Sequence, residues 1–450
     1  MNIKRDLTVA SVAPKARKVI KQSGEKIASL ESSWNAADGS PVFTVKGRYT
    51  SRGWTEWTQG FQFGSAILQF DACGDRKFLD IGRSQTLQFM APHVTHTGVH
   101  DHGFNNVSTY GNLLRLYKEG RLDANEWEKQ FYELALKGSA AVQAARWSEI
   151  AGGGGYIYSF NGPHSLFVDT IRSLRILALG HLLGHVLMGE NDRKISLLGR
   201  LVQHARSTAR YSVYYGNGRD HYDVRGRVAH EIVFNTNDGN FRCSSTQQGY
   251  SPFSTWTRGL AWAICGFAEL LEFINTLQEE ELQLYGGKSE VHDWMRKAAE
   301  AASDFYIENS AQDGMPYWDT GAPGLVHLGD WRTKPAEPFN EHEPVDSSAA
   351  VIAAQGLLRL GRVLESDRYW QAGLTVLNTV FDEPYLSTQA DHQGLILHSI
   401  YHRPNGWDYV PPGSSVPCGE ACMWGDYHAR ELALYILRLN NRQPYLTFWS

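Results

Sequence analysis

Cysteine is scarce and poorly placed for a framework. The five residues (Cys73, Cys243, Cys265, Cys418 and Cys422) are odd in number and irregular in spacing. That arithmetic gives neither a disulfide scaffold nor a structural zinc site, and reduced thiols suit the cytoplasm. Cys418 and Cys422 lie four apart with no second metal-like pair, so they read as buried free thiols. Long apolar runs are missing too. Nothing reaches the roughly 18 consecutive apolar residues of a membrane span, and no apolar stretch follows the N-terminal Met1–Asp6 as a secretory signal would. A cytoplasmic location is expected, or a periplasmic one where a signal has been trimmed. No basic block or arginine-rich helix occurs. With 43 Lys and Arg against 48 Asp and Glu, for a net charge of −5, nucleic acid is not an expected partner. The charged share is only 20% and the hydrophobic share 42%, which excludes a disordered chain. Proline-rich stretches occur only as loops, at 333–345 and 404–417. No low-complexity linker divides the chain, and a single domain over residues 1–450 follows.

Aromatic residues are the compositional excess: 14 Trp, 21 Tyr and 19 Phe. Indole and phenol rings stack on the apolar faces of sugars, and they also fill large helical cores. Apolar residues recur at helical spacing in segment after segment. The spacing predicts helices near 12–32, 54–70, 75–92, 105–118, 124–147, 164–184, 192–216, 254–275, 289–310, 346–364, 366–386 and 424–440. Twelve helices pair as six antiparallel hairpins, which predicts an all-α (α/α)6 barrel with short β-strands in its connecting loops. Arg227–Phe234 alternates polar and apolar residues before the turn signal Asn237-Asp238-Gly239. Gly152–Gly155 lacks the strand-and-helix context of a phosphate loop, so a nucleotide site is rejected.

Two aspartates stand out. Asp101, in His100-Asp101-His102-Gly103-Phe104, precedes a helix; it is either an N-terminal cap or a carboxylate in a site. Asp169, in Phe167-Val168-Asp169-Thr170-Ile171-Arg172, is read as lying inside an apolar helix. There it either pairs with Arg172 or Arg175 or faces a cavity. An inward Asp169 would have its pKa raised by burial toward the range of a proton donor. Two carboxyl groups in aromatic surroundings are what acid/base chemistry on a sugar requires. The densest cluster runs from Gln247 to Trp262. Ser254 reads as a helix cap, with Trp256 in the first turn. Arg258 and Trp262, four apart, share a face that offers a planar cation beside an aromatic ring; the same pair also suits a braced core arginine. Gln248 and His230 add polar groups for hydroxyls. Asp346, ahead of Ser347-Ser348-Ala349-Ala350, and Asp426, after Trp424-Gly425, read as caps. No histidine spacing resembles a metal site, and no metal or cofactor is expected.

Taken in order, these motifs resemble the unsaturated glucuronyl hydrolases, glycoside hydrolase family 88. The resemblance rests on His100–Phe104, Asp169, Gln248-Gly249-Tyr250, Trp256–Trp262, Asp346–Ala350 and Trp424-Gly425-Asp426-Tyr427, within a span from about residue 54 to 440. It implies an (α/α)6 barrel that removes a Δ4,5-unsaturated uronic acid from the non-reducing end of lyase-generated oligosaccharides. In that likeness Asp169 is the general acid/base and Asp101 its partner carboxylate. Trp256, Arg258 and Trp262 wall the sugar site with Gln248 and His230 nearby, and Trp57 is the N-terminal stacking residue. Relatives often carry Trp before the second aspartate, where this chain has Ser159-Phe160-Asn161-Gly162 and Phe160 stands in. Between Leu397 and Trp424 relatives have a shorter loop that reads the neighbouring sugar, whereas this chain has Tyr401–Tyr409.

The resemblance also implies the chemistry. Protonation of C4 of the enol ether makes an oxocarbenium-like C5 that water attacks, so carboxyl-separation rules for ordinary glycosidases do not apply. Two alternatives share the α/α toroid. An unsaturated rhamnogalacturonyl hydrolase differs in its leaving sugar. A polysaccharide lyase would use Tyr250 or His230 as base and would create the double bond instead of removing it.

Overall fold

Apolar residues form stripes of two widths along the chain, and the difference sorts the helices into two rings. The computed structural model describes residues 1–53, 56–123 and 125–449. Six helices carry a buried stripe on one side. They are α1 (Val9–Ser33), α3 (Arg76–Phe89), α5 (Glu126–Ala145), α7 (197–212), α9 (Lys288–Asn309) and α11 (Asp367–Val380). On α1 the stripe is Val12, Ala16, Val19, Ile20, Ile27 and Leu30, the three-and-four spacing of an amphipathic surface helix. Capping boxes start two of them, Thr8 with Ser11 and Asn125 with Glu128, satisfying the first free backbone N–H groups.

The alternating six are buried nearly all round: α2 (Gln59–Cys73), α4 (102–118), α6 (170–182), α8 (Thr257–Thr276), α10 (Ser347–Val363) and α12 (Met423–Asn440). On α8 every residue from Thr257 to Ile274 is buried. These helices neighbour one another in chain order, and α12 returns to α2. The ring therefore closes, and the expected (α/α)6 barrel is the architecture. All twelve expected helices are present. Those expected at 54–70 and 124–147 begin on Trp54, Thr55 and Ala124, which lie outside the described residues.

Short strands connect the helices, and three sequence expectations are corrected here. β1 (Pro41–Val45) and β2 (Arg48–Ser51) form a hairpin, as do β3 (Trp147–Glu149) with β4 (Gly155–Ile157) and β6 (Val186–Met188) with β7 (Lys194–Ser196). β5 (Ser165–Phe167), β8 (Glu231–Phe234) and β9 (Phe241–Ser245) make a three-stranded antiparallel sheet. Asp169 is therefore not inside a helix. It occupies the junction where β5 ends and α6 begins. Likewise Trp256, not Ser254, immediately precedes α8. Asp346 does cap α10, accepting from the backbone N–H of Ser348 and Ala349. Asp426 is no cap: it sits inside α12, buried, and accepts from Leu395 N, Ile396 N and the Tyr49 hydroxyl. All five thiols are free.

Neighbouring inner helices touch backbone to backbone where glycine allows it. A Cβ on Gly103 would stand 2.0 Å from the Ser173 carbonyl oxygen. Gly103 N also donates to Ser173 Oγ at 2.9 Å, and Ser173 Oγ donates to the His100 carbonyl at 2.8 Å. These bonds tie the start of α4 to α6, and with it Asp101 to Asp169. Gly103→Ala is accordingly expected to destabilise by about 2–3 kcal/mol and to depress turnover by moving the two carboxyls apart. Urea denaturation alongside an activity assay checks both effects. A stable, fully active Ala variant would refute the contact.

Candidate active site

Because inner helices alternate with outer ones, they run parallel and start at one mouth. Their opening residues line a cavity of about 470 Å³, within the roughly 300–1,000 Å³ usual for small-molecule sites. Trp57 precedes α2, Asp101 precedes α4, Asp169 precedes α6, and Trp256 and Arg258 open α8. The four helix N-termini that open on this space, those of α2, α4, α6 and α8, give it a positive field suited to an anion.

Asp101 and Asp169 flank one imidazole. His100 Nε2 lies 3.3 Å from Asp169 Oδ2 and 3.8 Å from Asp101 Oδ1. All three are buried. Phe160 stacks on His100 at 6.1 Å with an 18° interplanar angle, and Phe167 packs edge-on at 5.6 Å. Water is thereby displaced from around the cluster. Burial pushes the Asp101 carboxyl up to about 6, with the His100 charge opposing and Asp169 reinforcing the rise. At Asp169 burial acts in the same sense, but the hydrogen bond and charge of His100 outweigh it and hold the carboxyl below its usual range. His100 is in turn raised by the two carboxylates against its own burial. The expectation that Asp169 holds a proton by burial alone is thus corrected. Protonation is favoured on His100, which is hydrogen-bonded to Asp169, and on Asp101 beside it, over Asp169 itself. Asp169 Oδ1 and His100 Nδ1 have no hydrogen-bond partner among the described residues.

The remaining sequence candidates fall into two layers. Trp57, Phe160, Gln248, Trp256, Arg258 and Trp262 line the cavity. Trp57 stacks on Trp424 at 5.0 Å, and Trp262 packs on Phe104 at 4.8 Å. Arg258 does not present a free fork. Its Nη2 donates to Gln248 Oε1 at 2.7 Å and to the Tyr401 carbonyl at 2.8 Å; its Nη1 donates to the Ile400 carbonyl and, at 3.3 Å, to Asp346 Oδ2. The guanidinium is sandwiched between Trp256 and Trp424, with its carbon 4.5 and 4.8 Å from the ring centroids. His230 stands behind the wall, outside the cavity lining. Its Nδ1 accepts from Gln247 N at 3.1 Å, and its ring packs on Phe167 and Trp256 at 4.4 and 4.6 Å. It holds the Gln247–Gln248 segment in place, and burial lowers its pKa to about 4.

Sequence reasoning left out His100, Tyr401, His402 and Trp407, all of which line the cavity. His100 was visible only as a neighbour of Asp101, and the others only as an unusual aromatic loop. Nothing in the spacing of His100, Asp101 and Asp169 suggested a metal site, yet one ligand atom from each lies within 4.8 Å of the others, close enough to hold a cation.

No protein-family model matches the chain. It is 25% identical over 381 residues to an unsaturated glucuronyl hydrolase of Formosa agariphila, covering 84% of this chain and 78% of that one. It is also 25% identical over 418 residues to an unsaturated glucuronyl hydrolase of Bacillus sp. strain GL1, covering 90% of each. The crystal structure of the Bacillus protein superposes with a TM-score of 0.71 over 97% of this chain and 99% of that one, at 22% identity. Barrel and mouth together define the class, a glycoside hydrolase on an (α/α)6 fold. Alignment over most of both chains narrows the likeness: this chain is similar to the unsaturated glucuronyl hydrolases.

Proposed function

We propose that the protein removes a Δ4,5-unsaturated uronic acid from the non-reducing end of oligosaccharides left by polysaccharide lyases, by hydrating the C4=C5 enol ether. The observation that carries the reading is the buried Asp101–His100–Asp169 cluster on the wall of an aromatic cavity. An enol ether needs a proton delivered to carbon and a base for water, with little else, and this cluster offers both.

The uronate carboxylate enters a space ringed by helix N-termini, with its ring against Trp57, Trp256 and Trp262. A bound anion penalises the nearby ionised Asp169. The proton on His100 then moves across the 3.3 Å hydrogen bond to Asp169. Asp169 passes it to C4, leaving cationic character at C5 and the ring oxygen. Water attacks C5 and gives a proton back to the Asp169 carboxylate. The hemiketal opens, and the aglycone leaves as an alcohol. Asp101, protonated below about pH 6, replenishes and orients the relay. The Arg146 charge also acts on Asp101, while its guanidinium is engaged with the carbonyls of Thr97, Tyr158 and Ser159.

Loss of enoate absorbance on lyase-generated disaccharides tests the reaction, whereas a lyase would produce a gain. Screening disaccharides from glycosaminoglycans and from rhamnogalacturonan separates the two hydrolase readings. The pH profile tests the relay. Because Asp101 is raised, kcat/KM is expected to fall as pH rises through about 6, and Asp101→Asn should remove that limb. A limb unmoved by Asp101→Asn would count against the assignment. Chelator treatment completes the test: turnover unaffected by chelation supports proton transfer alone, and its loss points to a cation held by His100, Asp101 and Asp169.

A further inference from the structure

Outside the cavity, ahead of α8, two rings from separate loops are stacked in the open. Tyr222 and Phe253 lie face to face at 4.2 Å with an interplanar angle of 22°, yet they remain 47% and 51% exposed. Neither the proton relay nor the cavity wall uses them. Both loops are held firmly. In the first, the Asp223 carboxylate accepts from the backbone N–H of Gly216 at 2.8 Å, Asn217 at 2.9 Å and Arg219 at 2.8 Å, and Asp220 accepts from Tyr222 N at 2.7 Å. In the second, Asp319 Oδ2 accepts from Tyr250 N at 2.9 Å, and Ser251 Oγ accepts from Phe253 N at 3.1 Å. The buried Arg227 ties one loop to the other: its Nε donates to the Tyr222 carbonyl at 2.8 Å and its Nη1 to the Pro252 carbonyl at 2.9 Å. The pair also adjoins the active site. Phe253 lies between Gln248 and Trp256, both of which line the cavity, and the three residues from Phe253 to Trp256 span at most about 11 Å. Rings braced in this way keep an apolar surface in water on which the C–H face of a pyranose can stack. They are already ordered, so little side-chain freedom is lost on binding.

We propose that Tyr222 and Phe253, held together by Arg227, form a distal sugar-binding platform. It takes a pyranose unit further along an oligosaccharide whose unsaturated end occupies the cavity, and so makes the protein favour longer lyase products over disaccharides. This rests on the hydrolase reading above, and the experiment separates their failures.

Two substrates serve, the Δ4,5-unsaturated disaccharide and tetrasaccharide from one lyase digest, each followed by loss of enoate absorbance. The wild-type protein is expected to show a KM about fivefold lower for the tetrasaccharide, a stacking-sized difference, with similar kcat on both. Phe253→Ala and Tyr222→Ala should each raise the tetrasaccharide KM to the disaccharide value while leaving the disaccharide KM and both kcat values unchanged. Phe253→Tyr should keep the preference for the longer chain, because a phenol stacks as well as a phenyl ring. Cooperative urea unfolding establishes that each variant is folded, and the two alanine variants lie on different loops, so a fault in one loop leaves the other to decide. A wild-type KM no lower for the tetrasaccharide, or losses by both alanine variants that are equal on the two substrates, would overturn the platform alone. No hydration of either substrate would overturn the hydrolase reading and this inference with it.

Discussion

Asp169→Asn is expected to lower kcat/KM by about 10²–10⁴-fold, the usual contribution of a positioned general acid or base, without unfolding the protein. Asn keeps the shape of Asp and can still bond His100, but it can neither deliver a proton to C4 nor take one from water. The side chain makes no cap for α6, and among the described residues its one hydrogen bond to a neighbouring side chain goes to His100. Little structural stability is therefore lost with the charge. Asp101→Asn should behave differently, because an amide imitates the protonated acid that burial already favours. The folded-state pKa of Asp101, about 6, lies above its unfolded value. Its ionisation therefore opposes folding increasingly as pH rises from about 4 to 6. At pH 8 Asp101→Asn should be the more stable protein in urea, with residual activity lacking the alkaline limb. Enoate absorbance and urea melts on both variants decide the matter. If Asp169→Asn keeps more than about a tenth of the wild-type rate, general catalysis at that position is ruled out.

The double ring was legible because burial on one side or on all sides imprints itself on helical periodicity, which needs no knowledge of partners. Asp169 was misplaced for a complementary reason. β5 is three residues long, and what makes Ser165–Phe167 a strand is pairing with Glu231–Val233, more than sixty positions away. Ser254 failed as a cap because Trp256 takes the position before α8 while Thr257 bonds to the Tyr317 and Trp318 carbonyls. At the site, the aspartates and tryptophans were readable from motif and resemblance. Their protonation was not, because it depends on His100 reaching Asp169 across 3.3 Å. Arg258 misled in a similar way. A guanidinium beside tryptophans looks available in sequence, and only the fold reveals the carbonyls of Ile400 and Tyr401 and the Asp346 carboxylate that engage it.

Glu431→Ala is expected to destabilise the fold by about 3–5 kcal/mol, as breaking a buried ion pair does when one partner remains. Buried charges cross the barrel between the inner helices. Glu431 on α12 accepts from Arg172 on α6 at 2.9 Å and from Gln355 on α10 at 2.9 Å, with Arg175 at 3.5 Å. Arg172 also meets Glu269 on α8 at 2.6 Å, and Arg359 on α10 meets Glu272 at 2.8 Å. Arg172 and Glu431 are fully buried. Removing Glu431 leaves Arg172 with Glu269 and the Cys265 thiol, and burial works against the charge on Glu269. Glu431 itself is held below its ordinary range by Arg172 against burial. A depressed carboxylate stabilises above its unfolded pKa and ceases to do so as pH falls. The penalty of Glu431→Ala should therefore shrink in acid. Urea denaturation at pH 8 and pH 4 measures this, and a loss under about 1 kcal/mol at pH 8 would refute the account. A second variant separates charge from shape. Arg172→Met with Glu431→Leu removes both ions and keeps the volume, so it should recover most of the stability. If it does, the ion pair is not what closes the ring, and apolar packing between the inner helices is sufficient to hold Asp101 and Asp169 at one mouth.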